Sequence, residues 1–272
     1  FTSRSVVASL PSFAAFTTIV DMPIMSDSEL AAALGFKARQ YIPLPASAIT
    51  LDWVKVRERE EADGSKKQQI FLIAITNEQV EKYKKIFSAA GLALSALEIE
   101  GFSLARSLAA GSEPTLIIDI GARSTGIAIA QGGILQFSGQ TDFAGTTLTR
   151  AVASGLGVNN RRAEDLKKQR GLLSSGLGLE QELSTLMNPI LDVIISEVRR
   201  VRENYRNSYH QEVTSAVLTG GGAQLLGIED YFKKELNLPV AKANPFAALS
   251  YRSNVGALVN SLRIIAPVEN MG

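Results

Sequence analysis

The stretch 115-TLIIDIGARSTGIAIAQGG-133 decides how this chain is read. It runs as a buried apolar strand, yet carries a carboxylate at Asp119, then Gly121, then hydroxyls at Ser124 and Thr125. A carboxylate taken from water without partners is costly, so a strand built only for packing has no use for Asp119. Either hydrogen-bond donors or a cation meets it. The segments "GIAIAQ" and "ILQFSGQ" follow as an antiparallel pair turned at Gly132-Gly133, a two-residue hairpin signal. A second strand-to-turn junction lies at Thr219 to Gly222, where three glycines follow "SAVLT". Glycines and hydroxyls at a strand end let backbone N–H groups approach an anion closely. Each junction also has a plain structural reading, a satisfied buried carboxylate or a tight strand-to-helix turn.

The segments between the junctions are helical. "GTTLTRAVASGLG" begins with small hydroxyl residues, and "NRRAEDLKKQRG" presents the basic cluster Arg161 to Arg170 as a solvated face. A long pattern from Glu180 to Tyr209 has a stripe of Leu183, Met187, Ile190, Ile194, Val198, Val201 and Tyr205. Asn188-Pro189 predicts a break or fresh start within it. "GIEDYFKKEL" predicts a helix, "LPV" a short strand, and "YRSNVGALVNSL" a terminal helix.

Upstream, residues 77–112 read as helix, strand and helix in an α/β pattern, whereas residues 1–76 read as a small α+β module. Its two short strands around "SLPS" precede a helix with a capping box, Ser26 with Glu29, a face of Leu30, Leu34, Ala38 and Tyr41, and a stop at Pro43 and Pro45. "ITLDWVKVRERE" alternates with period two, and the polar turn "EADGSKKQ" leads into the strand "QIFLIAIT".

Composition limits the function. The 272 residues suffice for more than one core, and 28 Lys and Arg against 27 Asp and Glu leave a net charge of +1, without the basic excess that tracks nucleic acid. Cysteine is absent and His210 is the single histidine, which argues against disulfides, thiolate zinc sites and a histidine-based triad. No apolar run reaches the roughly 18–20 residues that span a bilayer. The start at Phe1 rather than Met suggests native sequence upstream.

The order of the motifs carries more than any one of them. An Asp-Gly hairpin, a helix after "DFAGTTLT", a long helix with Glu197 and Arg200, and a Gly-Gly-Gly turn resemble the actin, Hsp70 and sugar-kinase superfamily. The first module, with its Leu-Pro turn, Met-Pro loop and "QYIPLP" helix end, looks like the PilM family of type IV pilus inner-membrane assembly proteins, and is similar to the small inserted subdomain of the division protein FtsA. "DIGARST", "TLT", "SEVRR" and "LTGGGAQL" fit the same pattern, so the resemblance covers essentially the whole chain. It implies an actin-like, ribonuclease H-like α/β fold of two lobes with an FtsA-type α+β insertion. Residues 1–76 would be the insertion, 77–112 with 250–272 the remainder of the first lobe, and 113–249 the second lobe.

The resemblance also implies ATP and magnesium as ligands. Asp119 would act on Mg-phosphate through water; Gly121, Ser124 and Thr125 would present donors; Gly145 would lie near the terminal phosphate. Gly220, Gly221 and Gly222 would let adenosine approach the backbone, while Glu197 and Arg200 would reach ribose or adenine or else form a surface ion pair. Two departures stand out: the family's first Asp-Gly hairpin is absent, and Ala144-Gly145 replaces the usual Gly-Gly. The implied role is a cytoplasmic scaffold, peripheral at the inner membrane, that binds the cytoplasmic N-terminal tail of PilN and links it to the motor, touching membrane only through partners. The alternatives are an actin-like ATPase, a small-molecule kinase with Asp142 as its base, and an FtsA-like division protein.

Overall fold

The structure, a computed structural model, is described over residues 3–42, 44–60, 64–172 and 178–244. It divides into two compact units between Ser103 and Leu104.

In the first unit, β2 (Ala15–Pro23), β4 (Lys66–Thr76) and β3 (Ile49–Glu60) form an antiparallel sheet in the order β2-β4-β3. Helix α1 (Asp27–Tyr41) covers one face, its Leu30, Leu34, Ala38 and the capping Ile42 meeting Val20, Met22, Ile70, Leu72 and Ala74. The capping box forms: Glu29 N–H donates to Ser26 Oγ, and Ser26 N–H donates to Glu29 Oε2 at 2.9 Å. Tyr41, expected on the buried face, is 42% exposed. The stripe steps by four from Ala38 to Ile42, which turns Tyr41 out to solvent. Helix α2 (Asn77–Ala89) follows, then β5 (Ala93–Ile99) and the start of α3 (Glu100–Leu108). Strand β1 (Ser5–Leu10) pairs in parallel with β5, outside the three-stranded sheet of the module whose sequence it opens.

The second unit holds a five-stranded sheet in the order β10-β9-β6-β7-β8. Strands β6 (Thr115–Ile120), β7 (Thr125–Gln131) and β8 (Ile134–Thr141) run antiparallel, and β9 (Ser215–Thr219) and β10 (Val240–Lys242) continue the sheet in parallel with β6. Gly132 and Gly133, at φ 59° and 75°, make the tight turn between β7 and β8. Leu116, Ile118 and Ile120 point to one face, where α4 (Gly145–Leu156), α5 (Asn160–Arg170) and α6 (Leu179–Tyr209) bury them. Asp119 and Ile117 therefore point to the other face. Helix α7 (Ile228–Leu236) adds Ile228, Phe232 and Leu236 to the same core.

The predicted break at Asn188-Pro189 does not occur; α6 runs through Pro189 for 31 residues. A proline inside a helix costs about 3 kcal/mol. Leu183, Met187, Leu191, Ile194, Val198, Val201 and Tyr205 are all buried along one side, however, and keeping them in one stripe offsets that cost. Ile190, read as part of the stripe, lies at its margin, and Leu191 takes the central place. The terminal helix predicted over residues 251–262 lies outside the described residues.

Candidate functional site

Asp119 sits one residue from the end of β6, level with Gly126 on β7 and Thr219 on β9. Strand β9 leads directly into Gly220, which has φ 83° and ψ 162°, a conformation essentially reserved for glycine. A methyl group on Gly220 would come within 2.5 Å of Asp119 Oδ1 and would overlap the carbonyl of Ile120. On Gly222 it would lie 2.7 Å from Ile120 Cβ. The glycine turn is thus built against the last two residues of β6, and the two sequence junctions, far apart in the chain, are one place. Gly221 opens the short 3-10 turn Gly221–Gln224, closed by Ala223 N–H donating to Gly220 O at 3.0 Å.

The turn after Asp119 is tied to the start of α4. Gly145 N–H donates to Gly121 O at 3.0 Å and Thr146 N–H to Ala122 O at 2.9 Å, while Gly121 N–H donates to Ser124 O at 3.1 Å. Fully buried Thr125 donates its hydroxyl to Phe143 O at 2.7 Å. The Gly121 N–H and the Thr125 hydroxyl, expected as ligand donors, are therefore used within the protein, and so is the N–H of Gly145, expected near the terminal phosphate. Ser124 is half-buried beside them. Gly145 sits close against the turn, since a methyl group there would lie 3.1 Å from Gly121 O and the turn would have to give by a few tenths of an ångström. Ala144 departs from Gly-Gly without strain, because its φ of −160° is extended backbone open to any residue. Asp142 is exposed on the loop before α4, where its carbonyl accepts from the Thr147 hydroxyl.

Lys167 corrects the reading of residues 161–170 as a solvated face. Only 9% exposed, it donates to Gly145 O at 3.0 Å and Thr149 Oγ1 at 2.8 Å, and pairs with Glu164 Oε2 at 2.7 Å. Ala163, Leu166 and Lys167 share the buried side of α5, a spacing of three and four that was available in the sequence. Burial alone raises the Glu164 pKa, but hydrogen bonds from Lys167 and Thr149 and the charges of Lys167 and Lys168 outweigh it and hold it below the ordinary glutamate range. A carboxylate depressed on folding stabilises above its unfolded pKa, about 4.3, and loses that contribution as pH falls through the lower folded value. Glu164→Gln is accordingly expected to be less stable than the parent at pH 7, with the gap closing as pH drops below about 4. Urea denaturation at stepped pH measures this, and a constant gap would remove Glu164 from the pH response.

Glu197 and Arg200 do not join this place. They form an ion pair on α6, with Arg200 Nε donating to Glu197 Oε2 at 2.8 Å, and Glu197 lies over Gly139 of β8. Gly139 is level with Ile127, and Ile127 with Ile118. The pair thus rests on the helix-covered face, opposite the face to which Asp119 points. Among the described residues no cluster of three acidic, His or Cys side chains is placed to hold a metal, and no helix is long and apolar enough to cross a membrane.

Residues 1–266 match the family described as type IV pilus assembly protein PilM. The cell division protein FtsA of Escherichia coli K12 is 25% identical over 188 residues, covering 59% of this chain and 45% of FtsA. FtsA of Neisseria meningitidis is 24% identical over 199 residues, covering 65% and 48%. The chain thus spans less than half the length of either division protein. Among solved structures, a PilM-PilN type IV pilus biogenesis complex superposes with a TM-score of 0.78 at 23% identity, covering 98% of this chain and 81% of that one. MreB 5 of Spiroplasma citri bound to AMPPNP superposes with a TM-score of 0.51 at 21% identity, covering 72% and 67%. The fold is the actin-like, two-lobed α/β fold.

Proposed function

We propose that this chain, which belongs to the PilM family of type IV pilus assembly proteins, is an actin-like scaffold that captures the cytoplasmic N-terminal tail of a PilN protein and links it to the pilus motor. The observation that carries this is the family match across residues 1–266, and the likeness to a structure of a PilM-PilN complex over 98% of the chain supports it. A short tail ordered on binding suits a protein of this kind, because an extended or helical peptide gains backbone and pocket contacts while its membrane anchor stays elsewhere. The scaffold would be cytoplasmic and reach the inner membrane through its partners. In this reading residues 113–249 are the second actin-like lobe, 77–112 with 250–272 belong to the first, and the small module within 1–76 is the FtsA-type insertion; β1, which pairs with β5, goes with the first lobe.

Calorimetric titration of a synthetic PilN tail into the purified protein tests the capture. One saturable site is expected, absent for a scrambled peptide of the same composition. Equal heats from both peptides, or none from either, would overturn it.

A nucleotide site is the second reading, favoured by the convergence of Asp119 and Gly220. Asp119 would hold magnesium through water, and Gly220 to Gly222 would lie against the nucleoside of ATP. Bound Mg-ATP would supply a charged phosphate chain at the end of β6. The N–H groups at the start of α4 would not take part unless their bonds to Gly121 and Ala122 opened.

A further inference from the structure

Strand β3 carries a bulge. Its register against β4 steps from Lys55 opposite Ile70 to Arg57 opposite Gln69, which leaves Val56 as an extra residue. In unbroken alternation Glu58 and Glu60 would lie on the face of Val54, and Arg57 and Arg59 would turn to the face that α1 covers. The bulge reverses this. Arg57 and Arg59 share the face away from α1 with Lys67 of β4, while Glu58 and Glu60 lie on the α1 side with Lys55, which pairs with Asp27 at 2.7 Å. Asp21 of β2 is the one acidic side chain at this end of the sheet on the arginine face, among the described residues. Two contacts hold the guanidinium groups. Gln69, 3% exposed at the start of the buried run of β4, accepts from Arg57 Nε at 2.9 Å, and Arg59 Nη2 reaches Asp21 Oδ2 across the sheet at 2.9 Å. A buried amide costs more than an aliphatic side chain of its size, so packing alone gives no reason for Gln69; holding a guanidinium fork in place does.

We infer that this end of the sheet is a docking surface for an acidic segment of a partner protein, bound in extended form with carboxylates at alternate positions. The argument is complementarity of charge and spacing. Arg57 and Arg59, two residues apart on one strand face, stand about 7 Å from each other, the interval at which an extended chain presents its alternate side chains. Each fork takes a carboxylate in a two-point contact, and Lys67 adds a third cation on the neighbouring strand. Arg57, Arg59 and Lys67 are all half-buried and lie along the sheet. That suits a narrow chain resting on the strands, whereas a bilayer surface is met by long cationic side chains that project from the protein.

Fluorescence anisotropy of a labelled, acetylated peptide of alternating glutamate and threonine, titrated with the purified chain, tests this. Saturable binding is expected, weakened by added salt and absent for the same peptide with glutamine in place of glutamate. Arg57→Gln and Arg59→Gln should each weaken it about tenfold, the loss of one charge-assisted pair. Lys55→Gln removes the same charge from the same strand on the other face, and should change binding by less than about twofold. Gln69→Leu leaves every charge in place and is expected to cost about fivefold by releasing Arg57 from its set position. Arg57→Lys, which keeps the charge and loses the fork, should weaken binding as well and covers the case in which Gln69→Leu fails to fold; circular dichroism checks each variant. Equal losses in Lys55→Gln and Arg57→Gln would reduce the effect to overall charge and overturn the proposal. So would a peptide that does not bind, binding to phosphatidylglycerol vesicles in its place, or displacement of the probe by the PilN tail, which would make this face part of the capture site.

Discussion

Gly220→Ala is expected to destabilise the protein by about 3–5 kcal/mol, among the largest effects a single methyl group has. Two costs combine. The backbone at φ 83° and ψ 162° lies where side chains other than hydrogen are held at a cost of about 1–3 kcal/mol. The new methyl group would also press on Asp119 Oδ1 and the Ile120 carbonyl, atoms fixed in the middle of a five-stranded sheet. Relief requires the turn to lift off β6, which separates the two halves of the candidate site. Urea denaturation measures the loss, with Gly111→Ala as the control: its methyl group would meet nothing within 4 Å, and a change within about 0.5 kcal/mol is expected. Equal stability of the two variants would show that the turn is not seated on β6 as described.

Asp119→Asn is expected to weaken Mg-ATP binding at least tenfold, about 1.4 kcal/mol, while leaving the fold intact. Asparagine keeps the size and planarity of the side chain, so the packing against Gly220 survives while the charge and one acceptor oxygen are lost. The magnesium dependence of binding is the informative readout. If Asp119 holds the ion through water, the parent binds ATP better with magnesium than without, and the variant loses that difference. Unchanged affinity and unchanged magnesium dependence would make Asp119 a structural carboxylate of the β6 end. A parent that binds no Mg-ATP would remove the nucleotide site from these 272 residues and leave peptide capture standing on the family match.

The elements were largely legible in the sequence because each follows from local pattern. The Gly-Gly turn of β7 and β8 and the Ser26–Glu29 capping box are decided by residues a few positions apart. Asp119 stood out for the same reason, a carboxylate where periodicity calls for an apolar residue. Pro189 misled because the local penalty for proline is real, and only the buried stripe on both sides of it shows why α6 continues. Lys167 was hidden by its neighbours: in a run of basic residues, only its spacing from Ala163 and Leu166 marks the one that turns inward to Gly145 and Thr149.

What the sequence by itself determined was the set of strands and helices, their order, and through the order of the motifs the actin-like fold and the PilM family. Tertiary structure alone decided which distant residues share a place. It set the glycine turn of β9 against Asp119, and used the donors of Gly121, Thr125 and Gly145 inside the protein. It also put Glu197 and Arg200 on the opposite face of the sheet. The reason is physical: helix and turn preferences act over a few residues, whereas the face a side chain occupies depends on strand register and on which helices cover the sheet, set by pairings across the whole unit.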